Sequence, residues 1–246
     1  RPCEWHTNLG RETFLAKVTW EDGWPVFNAG IGILEDEVTV PLAESEGEEL
    51  ITAGKDANGI PYNMVMLRNP VEGVAKGEGD GFRLKLLPYT LAECEPTAYL
   101  GIRQKSYHFT AKTTVTFTPE KEGEAAGLAL LQSEAASLAI VYGMFDGKTQ
   151  VRVIKNARDT GVYVLQSEAG SAESITFTIV QNRQMGILSY DAGKGEKVMV
   201  FDVSTKFLST ESAGGFVGCT VGMYATANGE ESTNTAYFNR INYIDR

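Results

Sequence analysis

The chain has 246 residues, 43% hydrophobic and 22% charged, and its 22 lysines and arginines against 32 aspartates and glutamates leave a net charge of −10. A field of that sign repels phosphate backbones and anionic lipid, which argues against nucleic acid and membrane surfaces as partners. No stretch approaches the roughly 20 apolar residues of a spanning helix. Cys3, Cys94 and Cys219 are too scattered for a disulfide framework and leave at most one bridge.

The opening, Arg1-Pro2-Cys3-Glu4-Trp5, lacks the apolar region of a signal peptide. The expectation is that a targeting segment has been removed or that a longer N-terminal part precedes it, and the compartment stays open. Residues 1–29 hold all three tryptophans and one of the two histidines. A boundary is expected near residues 29–36, where Asn28-Ala29-Gly30-Ile31-Gly32 ends the tryptophan-rich text. This gives residues 1–32 as one unit and 33–246 as another. The acidic run Glu44–Glu49 lacks the spaced ligands of a calcium loop and reads as a solvated loop.

Beyond it, apolar and polar residues alternate, and turn residues such as Asp146-Gly147 and Asn228-Gly229 separate the runs. The pattern predicts strands at Tyr62–Arg68, Phe82–Leu86, His108–Phe117, Leu128–Gln132, Leu138–Gly143, Gln150–Lys155, Gly161–Gln166, Ser174–Gln181, Gly186–Tyr190, Lys197–Val203, Phe216–Ala225 and Ala236–Tyr243. Within one of them Thr113, Val115 and Phe117 should face a core, and Lys112, Thr114 and Thr116 water. The one helical candidate, Ala125–Ala136, is interrupted by Gly127 and reads better as a buried strand. A dozen or more short strands with tight turns imply an all-β fold of two packed antiparallel sheets.

Common catalytic signatures are missing. The sequence contains no Gly-x-Ser-x-Gly elbow, phosphate loop, His-Glu-x-x-His or Cys-x-x-Cys. His6 and His108 read as packing or hydrogen-bonding side chains, and no cofactor is expected. Glycoside hydrolysis needs only two carboxylates flanking a bond, but the sequence cannot select a pair from 32. Tyr62, Tyr107, Tyr142, Tyr163 and Tyr224 could stack on sugar rings, although core or cross-strand packing suits each of them better.

Two stretches carry a family resemblance. Leu9-Gly10-Arg11-Glu12-Thr13-Phe14-Leu15, running on to Trp20-Glu21-Asp22-Gly23-Trp24-Pro25-Val26-Phe27-Asn28, resembles the end of the five-bladed propeller of glycoside hydrolase family 43, the β-xylosidases and α-arabinofuranosidases. Tyr62–Pro70, Tyr99–Gln104, Ala126-Gly127-Leu128, Gly222–Thr226 and Ala236-x-Phe238 resemble the C-terminal concanavalin A-like β-sandwich (jelly roll) of the same enzymes.

The resemblance implies inverting hydrolysis by three carboxylates on propeller blades that precede Gly10, so no Asp or Glu of this chain receives a catalytic role. It implies that Arg11 reaches the bound sugar, a task suited to a fixed fork of donors. It also implies that the loop Gly218–Gly222 closes the active-site mouth, with Thr220 where relatives carry an aromatic, which leaves a roomier pocket. Arg103 and Gln104 are a distinctive family pair, assigned here to substrate binding or to an interdomain role. The implied partners are xylo- or arabino-oligosaccharide and the propeller, with association into a homo-oligomer as a further expectation. A structural calcium is compatible with folds of this kind. The competing reading is a stand-alone xylan-binding module.

Overall fold

In the computed structural model, which describes residues 2–35, 38–39 and 54–245, the alternating runs become a two-layer sandwich. The strands in chain order are β1 (Val18–Glu21), β2 (Trp24–Phe27), β3 (Ala75–Glu78), β4 (Gly81–Lys85), β5 (Ala98–Arg103), β6 (His108–Thr116), β7 (Ala125–Ser133), β8 (Ala136–Phe145), β9 (Lys148–Ala157), β10 (Gly161–Glu168), β11 (Ser174–Asn182), β12 (Met185–Asp191), β13 (Lys197–Ser204), β14 (Thr220–Thr226), β15 (Thr235–Asn239) and β16 (Asn242–Asp245). One sheet runs β10-β9-β8-β7-β14-β5 and the other β13-β12-β11-β6-β15-β4-β3, all antiparallel. The acidic run Glu44–Glu49 lies outside the described residues.

The core fills the space between the layers. Leu128, Leu130, Leu138, Ile140 and Met223 from the first sheet meet Phe109, Val115, Phe177, Ile179 and Phe238 from the second, all buried. Thr113, Val115 and Phe117 face inward and Lys112 and Thr116 face water, as the alternation predicts, with Thr114 half-buried beside Thr176. β7 and β8 are apolar on both faces because the outer face of their sheet is itself covered, by Leu67 and Leu91 among others. Ala125–Ala136 is accordingly strand and not helix over most of its length.

Three strand boundaries differ from the sequence expectation. Tyr62–Arg68 is an irregular cover that touches the sheet through a single bridge, Val65 to Gly101. A turn closed by Met64 N on Pro61 O and the left-handed Arg68 (φ 52°) break its pleat. Phe216–Ala225 becomes strand only at Thr220, because Gly214 and Gly215 (φ 83° and 71°) hold the preceding residues in a loop. Ala236–Tyr243 splits into β15 and β16, and both pair with β6. At the break the Thr113 hydroxyl donates to the Asn239 carbonyl at 2.9 Å. The short strands β1, β2, β3 and β5 and the turn of helix α1 (Thr210–Ala213) were not anticipated.

β1 and β2 stand apart as a hairpin turned by Asp22-Gly23, both with positive φ. Among the described residues no third strand joins it. Its Trp20 and Trp24 are 72% and 75% exposed. Asn28 closes its base, accepting from Lys17 N and donating to the Lys17 and Ile33 carbonyls.

A buried carboxylate ties the two layers. Glu124, at the entry to β7, accepts from the Ser232 hydroxyl at 2.7 Å, the Asn234 carboxamide at 2.9 Å and the amides of Glu120 and Lys121. Burial works to raise its pKa, but these donors outweigh it and hold the carboxyl below its ordinary value. Glu124→Gln keeps the shape and replaces one accepting oxygen with a donor. It should cost about 1–3 kcal/mol of stability, read as a lower urea midpoint with an unchanged m-value.

Candidate functional site

The four residues singled out in the sequence converge on one end of the sandwich. Arg103 and Thr220 are register partners across β5 and β14. Gln104 follows β5, and its amide donates to the Cys219 carbonyl at 2.9 Å. The Cys219 amide in turn donates to the Asn8 carbonyl at 2.7 Å, so residue 8 extends the same edge. Arg11 follows three residues later, with its guanidinium 4.5 Å from the centre of the Phe216 ring.

Asn8 sets this arrangement. It is 1% exposed. Its amide donates to the Tyr107 hydroxyl, its Nδ2 to the Thr205 carbonyl, and its Oδ1 accepts from Gln184 Nε2. Gly10 (φ 73°) then passes against Gly218 backbone to backbone, where a Cβ on either would strike the other strand. Arg103 Nη2 reaches the Leu9 carbonyl at 3.4 Å. Sequence reasoning overlooked Asn8, because a lone asparagine before Leu-Gly carries no pattern.

The side chains differ in what they have left to offer. The Gln104 carboxamide is buried and donates to the Ser106 carbonyl at 2.9 Å. The Thr220 hydroxyl donates to the Leu131 carbonyl at 3.2 Å and accepts from Tyr99, 2.7 Å away. The Tyr99 ring lies across Gly101 and Gly222, neighbours in the ladder, and a Cβ on Gly222 would enter the ring. Burial raises the Tyr99 pKa strongly, so this phenol stays a donor. Phe216, also overlooked, is 68% exposed. Its only mark in the sequence is an apolar pair with Val217 between glycines.

The five tyrosines separate. Tyr142 and Tyr224 are buried, Tyr62 and Tyr163 are exposed on different segments, and Tyr107 is half-buried under the segment at residues 6–8. The three cysteines are free thiols. His6 Nδ1 lies 2.8 Å from the Glu4 carbonyl. Among the described residues no group of three or more His, Cys, Asp or Glu side chains could hold a metal ion. No described helix is long and apolar enough to cross a membrane.

Comparison with known proteins matches residues 56–244 to the family model of the β-xylosidase C-terminal concanavalin A-like domain. A xylosidase/arabinosidase of Butyrivibrio fibrisolvens is 36% identical over 95% of this chain and 46% of its own length. A non-reducing end α-L-arabinofuranosidase of Bacteroides ovatus, BoGH43B, is 27% identical over 97% of this chain and 46% of its own. Among solved structures, the Bacteroides ovatus xyloglucan PUL GH43B superposes with a TM-score of 0.87 at 26% identity, covering 98% of this chain and 48% of that one. A xylan β-1,4-xylosidase of Bacillus halodurans, at 20% identity and a TM-score of 0.82, shares the fold over 100% of this chain and 49% of its own. The chain spans about half the length of the curated relatives it matches.

One contact gives the rim a pH dependence. The Glu211 carboxylate accepts from the Thr7 amide and hydroxyl, both at 2.7 Å, and so fastens the N-terminal segment to α1. Partial burial works against ionisation, but the Thr7 donors, its own amide and Ser209 pull its pKa from 4.5 to about 2. A depressed carboxyl contributes its stabilisation above its ordinary pKa and loses it as pH falls through the folded value. Because all three tryptophans lie in residues 5–24, tryptophan anisotropy reports this segment. It should fall between pH 4.5 and 2, and Glu211→Gln should lower it already at neutral pH.

Proposed function

This chain belongs to the family of β-xylosidase C-terminal concanavalin A-like domains, and we propose that it serves as the accessory region of a family 43 glycosidase acting on xylosyl or arabinosyl oligosaccharides by inversion. In this reading residues 1–32 complete a catalytic propeller carried by a longer chain, and residues 33–246 form the sandwich that shapes its pocket.

The observation that carries the reading is the hairpin β1–β2. A two-stranded ribbon is marginal by itself, and this one leaves Trp20, Trp24 and Phe27 largely in solvent. Such a ribbon suits the closing strands of a larger sheet, whose neighbours would cover those rings. The matched relatives extend over about twice the length of this chain, which leaves room for that sheet.

Within the rim, Arg11 is the sugar contact. Its fork can hold two hydroxyls, while Phe216 braces the guanidinium and offers its exposed face to the sugar ring. Arg103, Gln104 and Thr220 belong to the binding site through the rim they hold. Arg103 fixes the Leu9 carbonyl, Gln104 the turn at Ser106, and Thr220 the start of β14. General acid and base remain with the propeller.

Two measurements test this. The 246-residue chain should show no turnover of aryl-xyloside or aryl-arabinofuranoside, and turnover at the rate of a whole enzyme would contradict the proposal. In the longer enzyme, Arg11→Ala should lower kcat/KM about 10- to 100-fold, the scale of losing charged hydrogen bonds in the transition state, with the melting temperature unchanged.

A further inference from the structure

A second concave surface lies away from the rim, on the outer face of the six-stranded sheet. The strand register puts its side chains in rows that cross the strands. Ala139 and Ile154 are partners and form the floor. Ser137 and Asn156 form one wall, and Val141 and Arg152 the other. The trough encloses about 280 Å³ and opens at the β10 edge past Val162 and Val164, both exposed. It is deep here because Ala139 adds almost no side-chain height between taller neighbours.

The polar atoms of the trough are incompletely used. Ser137 lines the trough, and among the described residues its hydroxyl has no protein hydrogen-bond partner. The hydroxyl opens onto the trough, so a ligand seated there can take up the bond that solvent otherwise makes. Asn156 spends Nδ2 on the Glu134 carbonyl at 2.7 Å and keeps Oδ1 as an acceptor. Arg152 gives Nε to Gln150 and Nη2 to Asp146, which neutralises its charge, and it lies 4.1 Å above the Phe145 ring.

We propose that this trough is a second saccharide site, separate from the Arg11 rim, that takes a neutral β-1,4-linked pentopyranose chain. The ligand class follows from the lining. A pyranose with equatorial hydroxyls has apolar C–H faces and polar edges, matching an aliphatic floor between a Ser137–Asn156 wall and a guanidinium. A pentopyranose lacks the hydroxymethyl arm and so asks less room of a trough of about 280 Å³. The Asp146–Arg152 pair leaves no net charge to attract an ionic ligand. A pure hydrocarbon would leave the Ser137 hydroxyl buried without a partner. The open end at β10 lets a polymer run beyond the site. That the saccharide is xylan-type rests on the function proposed above; the existence of the trough does not.

The test is an amide NMR titration of the 246-residue chain with xylohexaose, up to about 10 mM, ten times a Kd of ~1 mM. Shifts should centre on Ser137, Ala139 and Asn156. Cellohexaose, with its hydroxymethyl groups, should bind more weakly. Ser137→Ala should weaken binding about three- to tenfold, the worth of one neutral hydrogen bond, without lowering the melting temperature of the free protein. Ala139→Phe, which fills the floor, should abolish the shifts, and Ser137→Ala carries the test alone if that variant does not fold. An absence of shifts, equal binding by Ser137→Ala, or shifts confined to residues around Arg11 and Thr220 would each overturn the second site. None of these results would touch the accessory role, which is read from hydrolysis by the longer enzyme.

Discussion

The hydrogen-bond bracket around Asn8 is the constraint on which the rim at Arg11, Arg103, Gln104 and Thr220 depends. One residue, shut away from water, joins four separate parts of the chain: the loop before β14 through Cys219, the segment after β13 through Thr205, the turn between β11 and β12 through Gln184, and the segment between β5 and β6 through Tyr107. Each bond alone is worth about 1 kcal/mol. Their joint effect is geometric, because they fix where the backbone leaves the sandwich. Leu9, Gly10 and Arg11 have little freedom once residue 8 is set, and the abutting glycines at 10 and 218 leave no space for an alternative path.

The same economy appears across the six-stranded sheet. Small residues at Gly101, Gly222, Ala129 and Ala139 lie in one cross-strand row. At its β5 end the row is filled by the Tyr99 ring, which ties Thr220 to the sheet. Towards β9 it is left open as the trough. One row of missing side chains therefore serves two ends differently, as a seat for a structural tyrosine and as a concavity. The charged groups mostly play a supporting part. Glu124 holds the two layers together, and Glu211 holds the N-terminal segment to α1.

Much of the sandwich was legible in the alternation of residues, since a period of two with turn chemistry between runs admits few other folds. Legibility failed where tertiary contacts overrode local pattern. Tyr62–Arg68 has a strand's composition but lies as a cover, and Ala236–Tyr243 bends so that one pattern supplies two strands. β5 is nearly all buried and so offered no alternation to read. At the site, Arg11, Arg103, Gln104 and Thr220 were found through family resemblance, and the fold gathers them at one end. Asn8 and Phe216 escaped because their importance lies in contacts between residues far apart in sequence: Asn8 with Gln184, Arg11 with Phe216. The open row of small residues appears only once register is known.

Asn8 locks the N-terminal segment onto the sandwich through its hydrogen bonds. Amide hydrogen exchange, followed in the 246-residue chain with and without Asn8→Ala, measures this. Residues 3–12 should lose protection in the variant while β7, β8 and β9 keep theirs. Unchanged protection at residues 3–12 would contradict that lock.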